Sequence, residues 1–314
     1  MFHAEEKWMA KKETRGILLL LLTALIWGCA FVAQSVGAES IEPFTFQAVR
    51  SLMGGAVLLP AVVFKTKKKA RANNGFPYSA KQAKTLILGG LICGVILCAA
   101  SCLQQTGIAF TTVGKAGFIT SMYILIVPIL GLFFGQKVPV KIWGCILLAA
   151  AGLSLLCMTK RLRLSRGDAL MALCALLFAA HILAVDYFSP RTEGLILACL
   201  QFFVSAITAG AGMLLWEHPC WEAVFSAWPA LLYAGGLSCG IGYTLQILGQ
   251  KTCRPAIASL IMSLESVFSL LAGTVLLGEI PTIKEIAGCA LMFIAIVLAQ
   301  LPSRKKQFYN SKIS

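Results

Sequence analysis

A few ionisable and polar side chains sit inside otherwise apolar stretches of this 314-residue chain, and chemistry would have to be done there. An ionisable group inside a bilayer is costly and usually faces a cavity, a substrate path or a proton path. Glu265 is the clearest case. Its apolar run starts near Pro255, so at about 1.5 Å per residue the carboxylate lies roughly 15 Å deep, near the midplane. There it can balance a substrate amine or carry a proton, and a hydrogen-bonded or protonated structural glutamate is the alternative. Arg50 lies about 10 Å into its own run by the same rise, on the helix face of Gln47. It can hold a substrate carboxylate with two parallel hydrogen bonds, or it can snorkel to the interface and pin carbonyls.

Further polar groups interrupt apolar runs. Tyr123 stands near the middle of one run beside Thr120 and Ser121. Tyr243, Gln246 and Gln250 are spaced i, i+3 and i+7 and form one polar stripe on a helix. The stripe suits either a water-filled path or interhelical hydrogen bonding. His181 is the histidine set deep in an apolar run, with Asp186 five residues on. A proton relay needs the two on one helix face, which that spacing does not give, so a satisfied buried histidine is the simpler reading. Trp27 offers a ring for stacking on a substrate, with a packing aromatic as the alternative. With Gln201, which matches Arg50 in the repeat described below, the substrate-path candidates are Glu265, Arg50, Tyr123, Gln246, Tyr243, Trp27, His181 and Gln201.

The elements that position these groups follow from composition. The chain is 58% hydrophobic and 13% charged, with mean hydropathy +0.82. Soluble proteins carry about 45–50% apolar and about 25% charged residues. A disordered chain, an ordinary soluble enzyme and a disulfide-rich secreted module are excluded. Ten apolar runs follow one another, roughly Gly16–Gln34, Pro43–Phe64, Thr85–Gln105, Thr112–Phe134, Lys141–Met158, Gly167–Phe188, Glu193–Trp216, Trp228–Gln250, Pro255–Leu277 and Thr282–Leu301. Each is near the ~20 residues that cross a bilayer as helix, and the alternating strands of an outer-membrane barrel are absent. The expected fold is an all-α integral membrane protein of ten transmembrane helices. The first run lacks a small-residue cleavage site and reads as an uncleaved span.

The 27 Lys and Arg against 13 Asp and Glu leave +14. The basic residues lie between apolar runs without interleaved aromatics, which is topogenic charge rather than a nucleic-acid surface. With the N-terminus inside, 20 of the 27 fall in inside segments and 6 outside, Arg50 lying within a span. Both termini are expected in the cytoplasm. The basic stretch Lys160 to Arg166 is a local exception. The 12 cysteines show no C-x-x-C pair and read as small hydrophobes. No zinc, P-loop or haem motif appears, so neither metal nor cofactor is expected.

The runs form two copies of a five-span unit. Gly89-Gly90-Leu91-Ile92-Cys93-Gly94 matches Gly235-Gly236-Leu237-Ser238-Cys239-Gly240 at an offset of 146, as Gln104 matches Gln250. At an offset of 151, Arg15-Gly16 matches Arg166-Gly167, Trp27 matches Phe178, Glu42 matches Glu193 and Arg50 matches Gln201. Five is odd, so the second copy enters the membrane in the opposite sense. Inverted repeats of this kind frame a midplane site and allow alternating access. The expected divisions are a tail at 1–15, a first half at 16–158, a linker at 159–166, a second half at 167–301 and a tail at 302–314. Gly54-Gly55, Gly89-Gly90, Gly131, Gly135, Gly235-Gly236, Gly240 and Gly273 are expected to let helices approach closely. Pro128 is expected to bend the fourth span.

From about Arg15 to Gln300 the chain resembles the EamA-type permeases of the drug/metabolite transporter superfamily. The resemblance is carried by Leu25-Ile26-Trp27-Gly28-Cys29-Ala30-Phe31-Val32, by Thr111 to Tyr123 running on to Val127-Pro128, and by Ser263-Leu264-Glu265-Ser266-Val267-Phe268 running on to Leu277-Gly278-Glu279. It implies permeation of a metabolite, amino acid or drug, often export, with the site among the first four helices of each half. Family members commonly carry proline after that glutamate. Here Ser266 stands instead, which removes a source of kinking from the ninth span.

The expected function is therefore a plasma-membrane secondary transporter for an amino acid, nucleoside or drug-like solute, its partners being that solute, the lipid bilayer and a proton. A lipid scramblase or an uncoupled facilitator is the alternative. Gly236 to Gly240 also spells G-x-S-x-G around Ser238, the pattern of a serine-hydrolase elbow with His181 as base. No strand precedes it, and the matching position in the repeat is Ile92, so an enzyme is the weakest reading.

Overall fold

The computed structural model describes residues 2–72, 78–110, 113–157, 166–277 and 281–301. Every element among the described residues is helical. Backbone amides in hydrocarbon find no water, so each apolar run closes its own hydrogen bonds. In chain order the helices are α1 (Phe2–Ala38), α2 (Pro43–Ala72), α3 (Ala80–Ile108), α4 (Val113–Ser121), α5 (Tyr123–Phe133), α6 (Val140–Cys157) and α7 (Arg166–Phe188). They continue as α8 (Gly194–Trp216), α9 (Trp221–Ser226), α10 (Trp228–Leu232), a π-helical segment (Tyr233–Gly242), α11 (Tyr243–Gln250), α12 (Pro255–Met262), α13 (Glu265–Leu277) and α14 (Ile283–Gln300).

Eight helical stretches among the described residues are long and apolar enough to cross a bilayer. Val140–Leu155 and Ile286–Ala299 are shorter apolar helices, at the fifth and tenth runs expected from sequence. Large apolar side chains such as Phe64, Ile207, Leu214 and Val275 cover the outer surface. The chain is thus a multi-pass helical membrane protein whose apolar exterior faces lipid. The linker 159–165, the tail 302–314, Thr111, Thr112, Gly278 and Glu279 lie outside the described residues.

The packing follows one scheme. α1 lies against the π segment, α11, α12 and α13, while α7 lies against α3, α4 and α5. α2 packs on α8 and the π segment, α3 packs on α8, and α6 pairs with α14. Small residues allow these approaches. A Cβ on Gly16 would lie 3.1 Å from the Gly249 carbonyl oxygen, and one on Gly249 would lie 3.0 Å from that of Gly16. Gly107 and Gly167 face each other in the same way, at 3.2 and 3.0 Å. Gly54 meets Cys239, and Gly235 meets Met53 and the Arg50 carbonyl. Three of the expected packing glycines behave otherwise. Gly131 meets only the Gln136 side chain from the turn after its own helix. Gly135 has φ +74° and nothing near it, so it serves a left-handed turn after α5. Gly236 meets only Leu232, from the adjoining helix α10.

Two spans are interrupted. The fourth divides into α4 and α5 at Met122, and the ninth into α12 and α13 at Ser263-Leu264. Pro128, expected to bend this stretch, sits inside α5, six residues past the interruption. The ninth span breaks without its proline. Its serines bond back along the chain instead: Ser263 Oγ donates to the Leu260 carbonyl at 2.8 Å and Ser266 Oγ to the Ser263 carbonyl at 2.8 Å. Hydroxyls used in this way bend helices and satisfy the carbonyls that a break frees.

Candidate functional site

The two interruptions, α1, α2, α3, α7, the π segment and α11 all reach one narrow cleft. It holds about 460 Å³ of space free of protein atoms, part of it open to solvent. Non-helical backbone at membrane depth is tolerated where it is buried in protein or lines a cavity, and both breaks meet that condition.

Six of the eight candidates from sequence line the cleft: Glu265, Arg50, Tyr123, Gln246, Tyr243 and Trp27. Glu265 opens α13 and is 3% exposed, and its Oε1 accepts a hydrogen bond from Ser121 Oγ at 3.3 Å. Tyr123 opens α5 beside it, and its buried hydroxyl has no aligned hydrogen-bond partner. Trp27 on α1 packs against Tyr243 of α11, with ring centroids 4.5 Å apart and the ring planes tilted by 52°.

Arg50 is 4% exposed and rests on neutral groups alone. Its Nε donates to Gln47 Oε1 at 2.5 Å and its Nη1 to Gln34 Oε1 at 2.8 Å. Gln47 is held in turn, its Nε2 donating to Ser51 Oγ and to Ser205 Oγ, each at 2.9 Å. Among the described residues neither Arg50 nor Glu265 forms an ion pair, although both line the same cleft.

His181 and Gln201 lie behind the cleft. Their Nε2 and Oε1 atoms are 3.1 Å apart, both side chains are fully buried, and His181 meets the Tyr243 ring edge-on. Asp186 turns elsewhere, its Oδ2 accepting from Gln136 Nε2 at 3.2 Å. Ser238 lines the cleft from the π segment, and His181 is already engaged with Gln201. A strand-to-helix elbow is absent among the described residues.

Sequence reasoning missed several groups. Gln34 and Gln104 line the cleft, and Gln104 Nε2 reaches Thr120 Oγ1 at 3.4 Å. Both are amides inside apolar runs, the signal that singled out Gln246. Glu217, at the end of α8, is 9% exposed and accepts from the backbone N–H of Phe44 and of Thr45 and from Thr45 Oγ1, each at 2.7 Å. It caps the N-terminus of α2 from a distant part of the chain. Nothing near it in sequence announces that role.

A second, wider space lies beyond Gln250, with about 1090 Å³ open to the centre of a water molecule. Lys137, Lys141, Asp186, Lys251 and Arg254 border it. Between it and the cleft, Gln250 Nε2 donates to the Ile182 carbonyl at 3.2 Å. Ile182 lines the cleft and Gln250 the wider space, so this contact joins the walls of the two. At the same end of the helices, Lys65 and Lys69 pair with Glu193 at 2.6 and 3.3 Å, and Lys65 above all holds that carboxyl below its ordinary value. Burial lowers the Lys251 ammonium, whose Nζ donates to the Thr192 carbonyl.

Comparison with known proteins adds the family. The profile described as the EamA-like transporter family matches residues 14–158 and again 165–301. A protein of Archaeoglobus fulgidus described as an uncharacterized transporter is 27% identical over 291 residues, covering 92% of this chain and 87% of its own. The uncharacterized transporter YwfM of Bacillus subtilis is 27% identical over 301 residues, covering 92% and 95%. A crystal structure of a protein 19% identical in sequence aligns with a TM-score of 0.72 over 92% of this chain and 98% of that one, a likeness of fold.

Proposed function

This chain belongs to the EamA-like transporter family, and from that premise we propose that it is a secondary transporter that moves a small polar metabolite by alternating access. It is a transporter rather than an enzyme, as its family and its transporter-named relatives indicate. The observation that carries the reading is the cleft itself. Two buried ionisable side chains, Arg50 and Glu265, form no ion pair among the described residues and face one cleft inside a membrane protein, and intramembrane ionisable groups of that kind mark a solute or ion path.

Ten spans in two inverted halves, 16–158 and 167–301, are the architecture we assign. The twofold family match supports it. So does the exchange symmetry of the packing, in which the first span of each half lies on the third and fourth of the other. The interruptions in the fourth and ninth spans also correspond. Rocking one half against the other would open the cleft to each side in turn. The positive-inside count puts both termini in the cytoplasm of a plasma membrane and turns the wide vestibule inward. Solute would then enter from the cytoplasm and leave outward, the Gln250–Ile182 contact closing behind it. Amino acids, nucleosides and drug-like solutes are the classes to test, with a proton as possible co-substrate.

The test is flux into and out of proteoliposomes, with pooled labelled amino acids and pooled labelled nucleosides, with and without a pH gradient. Saturable flux with exchange between labelled and unlabelled solute is the expected result. Non-saturating leak, or redistribution of labelled lipid without solute flux, would replace the carrier by a facilitator or a scramblase.

A further inference from the structure

The wider space beyond Gln250 has a chemistry of its own. Lys137 and Lys141 reach it from the start of α6 and the turn before it, and Lys251 and Arg254 from the turn between α11 and α12. Glu13 and Asp186 are the carboxylates on the same walls. Among the described residues none of the four basic groups forms an ion pair. Lys141 and Lys251 donate to the carbonyls of Leu301 and Thr192, and Asp186 accepts from Gln136. Four cations against two carboxylates leave two positive charges in excess around one opening.

Further features specify the ligand. α12 begins on this space: Pro255, Ala256 and Ile257 line it, and no side chain caps the helix. An uncapped helix N-terminus favours negative charge, because its first N–H groups carry the positive end of the dipole. Gln250 lines the space and is 2% exposed, and its Oε1 has no hydrogen-bond partner. An acceptor beside a group of cations is matched by a ligand with a hydroxyl as well as negative charge, and a phosphate ester of a polyol has both. The remaining wall is apolar, formed by Val138, Ile142, Ile257, Ala299 and Leu301. It adjoins α6 and α14, whose outer faces expose Leu147, Ile286 and Val297. A small soluble anion has no use for such a wall, whereas a lipid sets its headgroup on the charges and its acyl chains along the apolar side.

We propose that this space binds the phosphate-ester headgroup of an anionic glycerolipid, with the phosphate on Lys137, Lys251 and Arg254 at the start of α12 and a headgroup hydroxyl on Gln250. A soluble polyol phosphate shares the polar chemistry and lacks the acyl chains. Basic pockets between helices at the cytoplasmic face recognise anionic headgroups, and the positive-inside orientation puts this space at that face. A headgroup here covers the Gln250–Ile182 contact, so it moves aside whenever the cleft opens on this side.

The experiment follows thermal unfolding of the purified full chain in neutral detergent as phosphatidylglycerol, phosphatidylcholine or free glycerol phosphate is added. Phosphatidylglycerol is expected to raise the unfolding temperature saturably, and phosphatidylcholine to leave it unchanged. K137Q/R254Q is expected to raise the half-saturating lipid concentration at least about tenfold, since each basic group lost weakens the hold on an anionic headgroup severalfold. The control K67Q/K68Q removes two exposed charges from α2, away from this space. It is expected to shift half-saturation less than about twofold, because exposed charges at a distance are screened. An equal loss in both variants means diffuse surface charge and overturns the site, as does an equal effect of the two lipids. Saturation by glycerol phosphate at the same concentration as the lipid keeps the anion site and overturns the lipid as its occupant. A second measurement needs no variant. Phosphatidylglycerol is expected to protect Lys137 and Lys251 from an amine-reactive reagent, read by peptide mass spectrometry, while Lys67 and Lys68 react as before. Protection of none of the four, or of all four alike, overturns the assignment. Neither measurement involves flux, so failure here leaves the transporter reading standing.

Discussion

The two interrupted spans reach the same cleft by different chemistry. In the fourth, α4 gives way to α5 at Met122, whose N–H falls back to the Ile119 carbonyl at 3.2 Å, and Pro128 lies well beyond. In the ninth, α12 gives way to α13 at Ser263-Leu264, and a ladder of serines closes the freed carbonyls. Ser259, Ser263, Ser266 and Ser269 each donate to the carbonyl three residues back. The fourth span thus presents the Tyr123 hydroxyl from a break with little side-chain support, whereas the ninth presents the Glu265 carboxylate from a braced one. The difference teaches that the residue after Glu265 does not decide whether the helix breaks there. A hydroxyl can do the work of a proline ring, because both leave a carbonyl that needs another partner.

That comparison can be broken at its tightest point. Gly28 on α1 packs against the start of α13, where an added Cβ would lie 2.4 Å from Phe268 Cβ and 2.8 Å from the Glu265 carbonyl oxygen. At the repeat offset, position 179 on α7 holds a fully buried alanine. G28A should therefore be the most damaging small change, costing about 1–3 kcal/mol or more as overpacking against backbone, while A179G should cost less. Thermal unfolding in detergent checks both, and a tolerated G28A would mean that α13 is not pinned by α1.

The serine ladder comes next. The double substitution S263A and S266A removes the acceptors' partners at Leu260 and Ser263, and is expected to cost about 1–3 kcal/mol at most. S266P should be nearly neutral, because the Ser266 N–H makes only a 3.2 Å bond to the Ser263 carbonyl. If S266P unfolds the protein, hydroxyl and proline are not interchangeable at this break.

G117A sharpens the contrast with Gly28. Its Cβ would meet Ser269 Oγ at 2.9 Å, the end of a side chain that can turn away. A change in unfolding within about 1 kcal/mol is expected, and a loss equal to that of G28A would show that α4 and α13 are as tightly fixed as α1 and α13.

The smallest effect belongs outside both breaks, at Glu193. Its folded carboxyl is held below the ordinary value of 4.5 by Lys65 and Lys69. A lowered carboxylate contributes stability that is present above the ordinary value and lost as pH falls through the folded one. Because the partners are partly solvent-exposed, E193Q should cost about 1 kcal/mol or less at neutral pH and flatten the stability curve below pH 4.5. A larger loss at neutral pH would make this clasp a principal tie between α2 and α8.

Much of the arrangement was legible in the residues. The apolar runs placed the helices, and the depth of Glu265 and Arg50 within their runs placed two ionisable side chains inside them. Helical spacing put Tyr243 and Gln246 on one stripe, and both face the cleft. The same spacing separated His181 from Asp186, whose partners are indeed different. His181 and Gln201, named among the path candidates, meet each other behind it through Nε2 and Oε1. Which way a buried polar group turns depends on the neighbouring helix, and no local pattern contains that helix. The π-helical turn at Tyr233–Gly242 escaped for a related reason. Its glycines permit several helical pitches, and packing against α1 and α2 selects one.

By itself the sequence determined that the chain lives in a bilayer, how its apolar runs are repeated and which transporter family it belongs to. Hydrophobicity and repeat spacing are local, additive properties that survive without knowledge of contacts. Only the tertiary structure decided that Arg50 and Glu265 would share a cleft without pairing, that Glu217 would cap α2, and that Gln250 would close on Ile182. Those outcomes depend on the azimuth of each helix about its axis. That angle is set by close contacts between segments far apart in the chain, where a glycine facing a carbonyl fixes both neighbours at once.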